Sequence, residues 1–178
     1  KIVAALQLPR RSSGYVRVNA YDTPFCYGDL QAVVCTGVDG IVLPKVESAA
    51  QLLSVNWLIG QLELQCGLGL GTIDLIPIIE TGKGLAAVEE IASANTRVRR
   101  LAFGAGDFTL DMGMRWSVDE VELDYARSRI VLASRAADLE APVDTVFIHI
   151  GQLEGLRAST ERAHAMGFKG KMCIHPEQ

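Results

Sequence analysis

Two apolar runs, each followed by a carboxylate, constrain the fold more than any other feature of this sequence. One covers residues 75–79 and precedes Glu80, and the other covers residues 101–106 and precedes Asp107. Such runs are typical of strands buried on both faces, as in a parallel sheet. The carboxyl ends of these strands are where open α/β sheets and barrels place their active sites. Glu80 and Asp107 are therefore predicted to converge on one hard divalent cation with positions left open for a substrate oxygen.

Strand-like and helix-like segments alternate along the chain, which predicts a parallel sheet. The predicted strands cover residues 15–19, 40–43, 74–79, 99–103, 145–150 and 172–174. Spread over 178 residues, they give about 30 residues per strand–helix unit, whereas an eightfold β/α barrel needs roughly 250 residues. The pattern fits about six of the eight units of a barrel or a complete, smaller doubly wound sheet, and it does not choose between them.

Three predicted helices carry apolar residues at helical spacing. The first follows Glu80, and the second begins at Ser117, which forms a capping-box pattern with Glu120. The third ends at Gly167, a typical helix stop. Their predicted buried faces are, in order, Leu85, Val88, Ile91 and Ala92; Val118, Val121, Tyr125 and Leu132; and Leu153, Leu156, Ala163 and Met166.

Composition narrows the class of protein. The length predicts a single domain over residues 1–178. The net charge of −4 provides no basic patch for nucleic acid, and no apolar run approaches the 18 or so residues that a membrane helix needs. The four cysteines are scattered without a CxxC pair, which predicts free thiols and a cytoplasmic location.

Seven short motifs occur in a characteristic order. They are residues 15–19 (YVRVN), 29–30 (DL), 40–48 (GIVLPKVES), 79–81 (IET), 103–107 (FGAGD), 167–171 (GFKGK) and 174–178 (IHPEQ). This order resembles the family of the citrate lyase beta subunit, which belongs with the HpcH/HpaI aldolases and malyl-CoA lyases. The resemblance implies a TIM (β/α)8 barrel of the phosphoenolpyruvate/pyruvate-binding type that uses Mg²⁺. It also implies a homo-oligomer, either a trimer or a hexamer.

The implied reaction is cleavage of a 3-hydroxyacyl thioester of the citryl-CoA or malyl-CoA type. The products are a 2-oxo acid and an acyl thioester on coenzyme A or an acyl-carrier protein. Two alternatives stay open: a metal-dependent aldolase acting on free hydroxy-oxo acids, and a non-catalytic relative that binds a 2-oxo acid without turnover. The features that would distinguish the thioester lyase from these two alternatives lie outside residues 1–178.

The sequence departs from the family pattern at both ends. The family begins with a strand carrying a Phe-Val-Pro-Gly-like motif and a second ending in Leu-Glu-Asp, and neither is present. The family also continues beyond the position of Gln178 into a segment that, in several relatives, supplies an acidic residue to a neighbouring subunit's site. The expectation is a partial barrel that lacks its first two strands and its C-terminal segment.

The resemblance assigns the metal to Glu80 and Asp107, although either carboxylate is also interpretable as a helix cap. It places the backbone of residues 104–106 (Gly104, Ala105 and Gly106) at the substrate. Arg17 is assigned to a substrate carboxylate, which suits its guanidinium fork; the alternative is a buried ion pair with Glu47.

Lys45 and Glu47 follow a strand end and are candidates for catalysis in the wall of the site. The alternative is a surface ion pair of little consequence. No Schiff-base lysine is required by the implied reaction. His175 is interpreted as a structural residue held by its neighbours, and His149 and His164 as structural or exposed.

Overall fold

The computed structural model describes residues 2–178 and shows a six-stranded parallel sheet whose strands lie side by side in chain order. A doubly wound sheet reverses its strand order at a switch point, and this order has no reversal. The sheet curls as half a barrel does, so the doubly wound alternative is wrong. The strands are β1 (Tyr15–Arg17), β2 (Gly40–Leu43), β3 (Asp74–Ile79), β4 (Ala102–Phe103), β5 (Val143–Asp144) and β6 (Gly170–Lys171).

Helices alternate with the strands. They are α1 (Ile2–Leu6), α2 (Cys26–Val33), α3 (Ala49–Gln65), α4 (Gly82–Ala86), α5 (Val88–Ala92), α6 (Ala105–Asp111), α7 (Asp124–Ala136) and α8 (Leu153–Met166). Within residues 2–178, no helix has both the length and the apolar character needed to cross a membrane. The four cysteines are free thiols, but only Cys26 is buried, whereas Cys66 and Cys173 are exposed.

The core lies where the sheet packs against its helices. Leu75 of β3, Leu52 of α3 and Ile130 of α7 are fully buried, and each such side chain contributes about 1.5–3 kcal/mol through burial. Phe103 of β4 meets Phe108 of α6 edge to face, with ring centroids 5.6 Å apart. This aromatic pair packs α6 against the end of the strand that precedes it.

The second helix differs from the prediction both in the residue at which it begins and in the face that it buries. It begins at Asp124 after a 3-10 turn, because Glu120 adopts a left-handed backbone (φ 54°). Glu122, not Glu120, returns to Ser117 and accepts its N–H. The predicted apolar face is 52–65% exposed, and the buried face instead carries Ala126, Arg127, Ile130, Ala133 and Ser134. The third helix ends at Gly167 as predicted, although Leu153 is exposed.

The last two strands lie earlier in the chain than predicted. β5 covers Val143–Asp144 rather than residues 145–150, and β6 covers Gly170–Lys171 rather than residues 172–174. Counting apolar residues misses both, because each strand contains an ionic residue. Two other strands are shorter than predicted: β1 ends at Arg17, and β4 begins at Ala102.

The ionic residues of β5 and β6 belong to a buried network centred on Arg127. The guanidinium of Arg127 donates to Asp144 Oδ1 at 3.0 Å and to Glu120 Oε2 at 2.7 Å. Lys171 Nζ lies 2.6 Å from Asp144 Oδ2, and the Ser159 hydroxyl lies 2.7 Å from Glu120 Oε2. The network joins α7 and α8 to the two strands, so mutual pairing compensates the cost of burying these charges.

Candidate metal and substrate site

A cavity of about 410 Å³ opens at the carboxyl ends of the first strands. It is lined by Arg17, Val18, Asn19, Ala20, Asp22, Thr23, Pro44, Lys45, Glu80 and Asp107. Four residues that the sequence singles out therefore meet in one place: Arg17, Lys45, Glu80 and Asp107. This is the end of a parallel sheet at which barrels place their active sites.

Glu80 is a buried carboxylate with a fixed orientation. It follows β3 directly and is 4% exposed. Its Oε1 accepts the backbone N–H of Lys45 at 3.0 Å, and Lys45 has the left-handed backbone (φ 51°) that is uncommon for a residue with a side chain. Gly104 makes room for the carboxylate, since a Cβ there would overlap Glu80 Oε2. The hydrogen bond from the Lys45 backbone and the close contact with Gly104 thus hold the Glu80 carboxylate at the cavity.

Asp107 reaches the same cavity from the first turn of α6. Its side chain is 42% exposed, and its Oδ1 lies 3.6 Å from Lys45 Nζ. Lys45 therefore contacts both carboxylates, Glu80 through its backbone and Asp107 through its ammonium group. An ion pair this exposed contributes little to stability, but it marks the space between the two carboxylates as one that attracts positive charge.

The environment opposes the charge on Glu80. Burial raises the pKa of Glu80 to about 6, and the nearby Asp107 carboxylate adds to the effect. The N–H bond from Lys45 and the charges of Arg17 and Lys45 lower the pKa but do not outweigh burial. A cation beside both carboxylates would relieve this penalty.

The two carboxylates suit Mg²⁺. Mg²⁺ in proteins usually takes one or two carboxylates and completes its coordination with water and substrate oxygens. In the part of the chain that the structure describes, no group of three or more His, Cys, Asp and Glu side chains is placed to hold a metal, so a closed site of the zinc type does not form. The helix-cap interpretation is wrong, because Thr81 caps α4 and Gly104 precedes α6.

Arg17 is placed differently from the buried residue that the sequence predicts. Val16 and Val18 are buried, and alternation along the strand turns Arg17 to the opposite face, where it is exposed to the cavity. Within residues 2–178 it has no ion-pair partner, so the pairing with Glu47 is wrong. Its guanidinium is available to an anion in the cavity.

Other predicted residues lie at the edge of the site or outside it. The Glu47 carboxylate is 3.9 Å from Lys83 Nζ and does not line the cavity. Gly104 and Ala105 are buried behind Glu80 and Asp107, whereas Gly106 is exposed. His175 accepts the N–H of Glu177 through Nδ1 at 3.3 Å, in agreement with a structural role.

Sequence reasoning missed the loop that follows β1. Asn19, Asp22 and Thr23 line the cavity, and the Asp29 carboxylate fixes the loop by accepting from the backbone and side-chain nitrogens of Asn19 at 2.9 and 2.6 Å. Their position in the sequence could have identified them. Polar residues that directly follow the strand with Arg17 lie at the same edge of the sheet as Glu80.

Gly104→Ala is expected to weaken Mg²⁺ binding about tenfold, roughly 1.4 kcal/mol, because the added methyl displaces the Glu80 carboxylate. Gly106→Ala is the matched control, since its Cβ would meet only Trp116 at an ordinary 3.7 Å. Calorimetric titration with Mg²⁺ compares the two variants. Equal affinities in both would show that the Gly104 contact does not set the position of Glu80.

Comparison with known proteins agrees with this geometry. The family described as HpcH/HpaI aldolase/citrate lyase matches residues 1–176. The citrate lyase subunit beta of Leuconostoc mesenteroides subsp. cremoris is 41% identical over 163 residues, covering 92% of this chain and 54% of that protein. The L-malyl-CoA/beta-methylmalyl-CoA lyase of Rhodobacter capsulatus is 35% identical over 183 residues, covering 92% and 57%. The chain thus spans little more than half the length of these relatives.

A solved structure shows the same fold. It is the citrate lyase beta subunit of Mycobacterium tuberculosis complexed with oxaloacetate and magnesium, which is 30% identical, with a TM-score of 0.74 over 92% of this chain and 68% of that one. The residues matched by the family, 1–176, include Arg17, Glu80 and Asp107. By its sequence and its fold, this chain belongs to the HpcH/HpaI aldolase/citrate lyase family.

Proposed function

We propose that this chain forms the metal and substrate site of a Mg²⁺-dependent carbon–carbon lyase. Its substrate would be a 3-hydroxyacyl thioester of the citryl-CoA or malyl-CoA type, and its products a 2-oxo acid and an acyl thioester on coenzyme A or an acyl-carrier protein. The observation that carries the proposal is the convergence of Glu80, Asp107 and Arg17 on one cavity. The carboxylates of Glu80 and Asp107 suit a metal that chelates a 2-oxo acid, and the guanidinium of Arg17 suits the carboxylate of that acid.

We further propose that the six strands are part of an eight-stranded barrel and form a single, partial barrel domain over residues 1–178. Support comes from the unreversed strand order and from β1 and β6, each of which pairs with a single neighbour within residues 2–178. Open edges of this kind favour pairing with further strands. The predicted homo-oligomer and cytoplasmic location stay predictions.

The residues of this chain have separable roles in such a reaction. Glu80 and Asp107 would hold the metal, which when bound supplies a Lewis acid for the keto and carboxylate oxygens of the 2-oxo acid unit. Arg17 would bind that unit's carboxylate through two parallel hydrogen bonds. The 3-hydroxyl group would lose its proton to a general base as the carbon–carbon bond breaks, and its carbon would become the carbonyl of the 2-oxo acid. The electron pair of the broken bond would go to the thioester fragment as an enolate, which then takes up a proton to give the acyl thioester. The positive charges of Arg17 and Lys45 would stabilise the carboxylate and the developing charge.

Turnover of citryl-CoA, malyl-CoA and methylmalyl-CoA by the full-length protein, with Mg²⁺ and with a chelator, tests the proposal. We expect release of a 2-oxo acid from at least one thioester and its loss on chelation. Cleavage of free hydroxy-oxo acids alone would instead identify an aldolase. Binding of oxaloacetate without any turnover would identify a non-catalytic relative.

Arg17→Lys is expected to weaken binding of oxaloacetate or glyoxylate at least about tenfold, roughly 1.4 kcal/mol. Lysine keeps the positive charge but loses the planar fork that fits a carboxylate. Calorimetry in the presence of saturating Mg²⁺ measures the change. Since Arg17 is not a metal ligand, Mg²⁺ affinity serves as the internal control and should stay near that of the parent. A variant that binds both acids as tightly as the parent would remove Arg17 from the substrate site.

A further inference from the structure

Helix α6, which carries Asp107, cannot cap its own N-terminus. The first N–H groups of a helix lack partners within it, and a Ser, Thr, Asp or Asn side chain at the preceding position usually accepts from one of them. Here that position is Gly104, which provides no side-chain cap. Any larger residue would overlap the Glu80 carboxylate. The placement of Glu80 therefore excludes a capping residue on α6.

An acceptor for the first turn of α6 comes instead from the residue that follows β5, and it takes the N–H of the first helical residue rather than that of the second or third, which a preceding capping side chain takes. Thr145 Oγ1 accepts the backbone N–H of Ala105, the first residue of α6, at 2.9 Å. Both residues are buried, with Thr145 1% exposed and Ala105 fully buried. Thr145 directly follows Asp144, whose carboxylate is held by Arg127 and Lys171. The hydroxyl is thus supplied from a well-anchored position forty residues along the chain.

The opposite end of α6 is attached to the loop that carries Glu80. Asp111 Oδ2 accepts the backbone N–H of Gly82 at 2.8 Å. With both attachments in place, Asp107 has a defined position relative to Glu80. Without the Thr145 hydroxyl, the buried N–H of Ala105 would lack a partner, which is costly, and the first turn of α6 would shift toward another acceptor.

We propose that Thr145 is a positioning residue that holds Asp107 opposite Glu80 by capping α6 from the position that follows β5. The inference deepens the proposed function and rests on the metal role assigned to Asp107. Thr145 does not line the cavity, so its effect on Mg²⁺ is transmitted through the α6 backbone.

Thr145→Val and Thr145→Ser separate the hydroxyl from the packing of the side chain. In the full-length protein, we expect Thr145→Val to weaken Mg²⁺ binding about tenfold by calorimetry, and Thr145→Ser, which keeps the acceptor, to stay within about twofold of the parent. The Ala105 amide should exchange its hydrogen faster in Thr145→Val only. If Thr145→Val does not fold, Thr145→Ala also removes the hydroxyl and replaces it in the comparison.

The outcomes distinguish this inference from the function on which it rests. Parent-like Mg²⁺ affinity in Thr145→Val would overturn the inference alone, and so would equal losses in the valine and serine variants, which would indicate a packing role. A parent protein that does not bind Mg²⁺ would overturn both the metal site and the positioning role. Mg²⁺ binding by a protein without lyase turnover would reject the reaction, while the variant comparison would still decide the role of Thr145.

Discussion

Glu80→Gln and Asp107→Asn are each expected to weaken Mg²⁺ binding at least about 100-fold, roughly 2.7 kcal/mol. Each change removes a carboxylate charge while keeping the side-chain shape, and in Glu80→Gln the amide oxygen still accepts the Lys45 N–H. Hard divalent cations depend on charged oxygen ligands, and Glu80 and Asp107 are the two assigned to the metal here. Calorimetric titration of the full-length variants measures the loss.

Asp111→Asn is the matched control for this pair. Asp111 lies in the last turn of α6 and outside the cavity, and an amide oxygen still accepts the N–H of Gly82. Its Mg²⁺ affinity should equal that of the parent.

Because burial raises the pKa of Glu80 to about 6, its ionised form disfavours folding at neutral pH when no metal is bound. Glu80→Gln should therefore unfold no more easily than the metal-free parent, and unchanged Mg²⁺ affinity in both site variants would refute the metal assignment.

Arg127→Leu is expected to destabilise the protein by about 3–5 kcal/mol, because it leaves the buried Glu120 carboxylate without its cation and leaves Asp144 with Lys171 alone. Arg127 is fully buried between Glu120 and Asp144, which are themselves 1% and 0% exposed. The loss should appear as a lower denaturant midpoint in urea unfolding, with the unfolding slope unchanged.

Arg129→Leu provides the comparison on the same helix. Arg129 pairs with Glu89 at 2.7 Å, but the two side chains are 31% and 50% exposed. Exposed pairs contribute about 0–1 kcal/mol, so this variant should unfold close to the parent. Similar losses in the two variants would show that burial does not set the energetic weight of the Arg127 network.

The meeting of Glu80 and Asp107 in one cavity was predictable because its signals are local in the sequence. An apolar strand followed by a carboxylate gives the position of Glu80, and the same pattern gives Asp107, which lies in the first turn of the helix after the next strand. The parallel sheet then brings both to one edge, as the structure shows. β2 and β3 also have the predicted bounds, since each contains an uninterrupted apolar run, residues 41–43 in β2 and residues 75–79 in β3.

The errors arise where long-range ionic contacts decide the structure. In α7 the apolar Tyr125 and Leu132 are exposed, whereas Arg127 is turned inward by Glu120 and Asp144. The periodicity of apolar residues therefore predicts the wrong buried face for this helix. Likewise, β5 ends at a buried Asp144, and its cationic partners, Arg127 on α7 and Lys171 on β6, explain why a charge occupies that place. The capping role of Thr145 depends on a contact forty residues away, which no local pattern contains.

The most direct test of the account is a crystal structure of the full-length protein with Mn²⁺ in place of Mg²⁺ and with oxaloacetate. Anomalous scattering locates the Mn²⁺ without assumptions about its ligands. We expect one anomalous peak within about 2.0–2.3 Å of carboxylate oxygens of both Glu80 and Asp107, with the carboxylate of oxaloacetate bound to Arg17. A peak elsewhere, or a metal that contacts neither carboxylate, would contradict it.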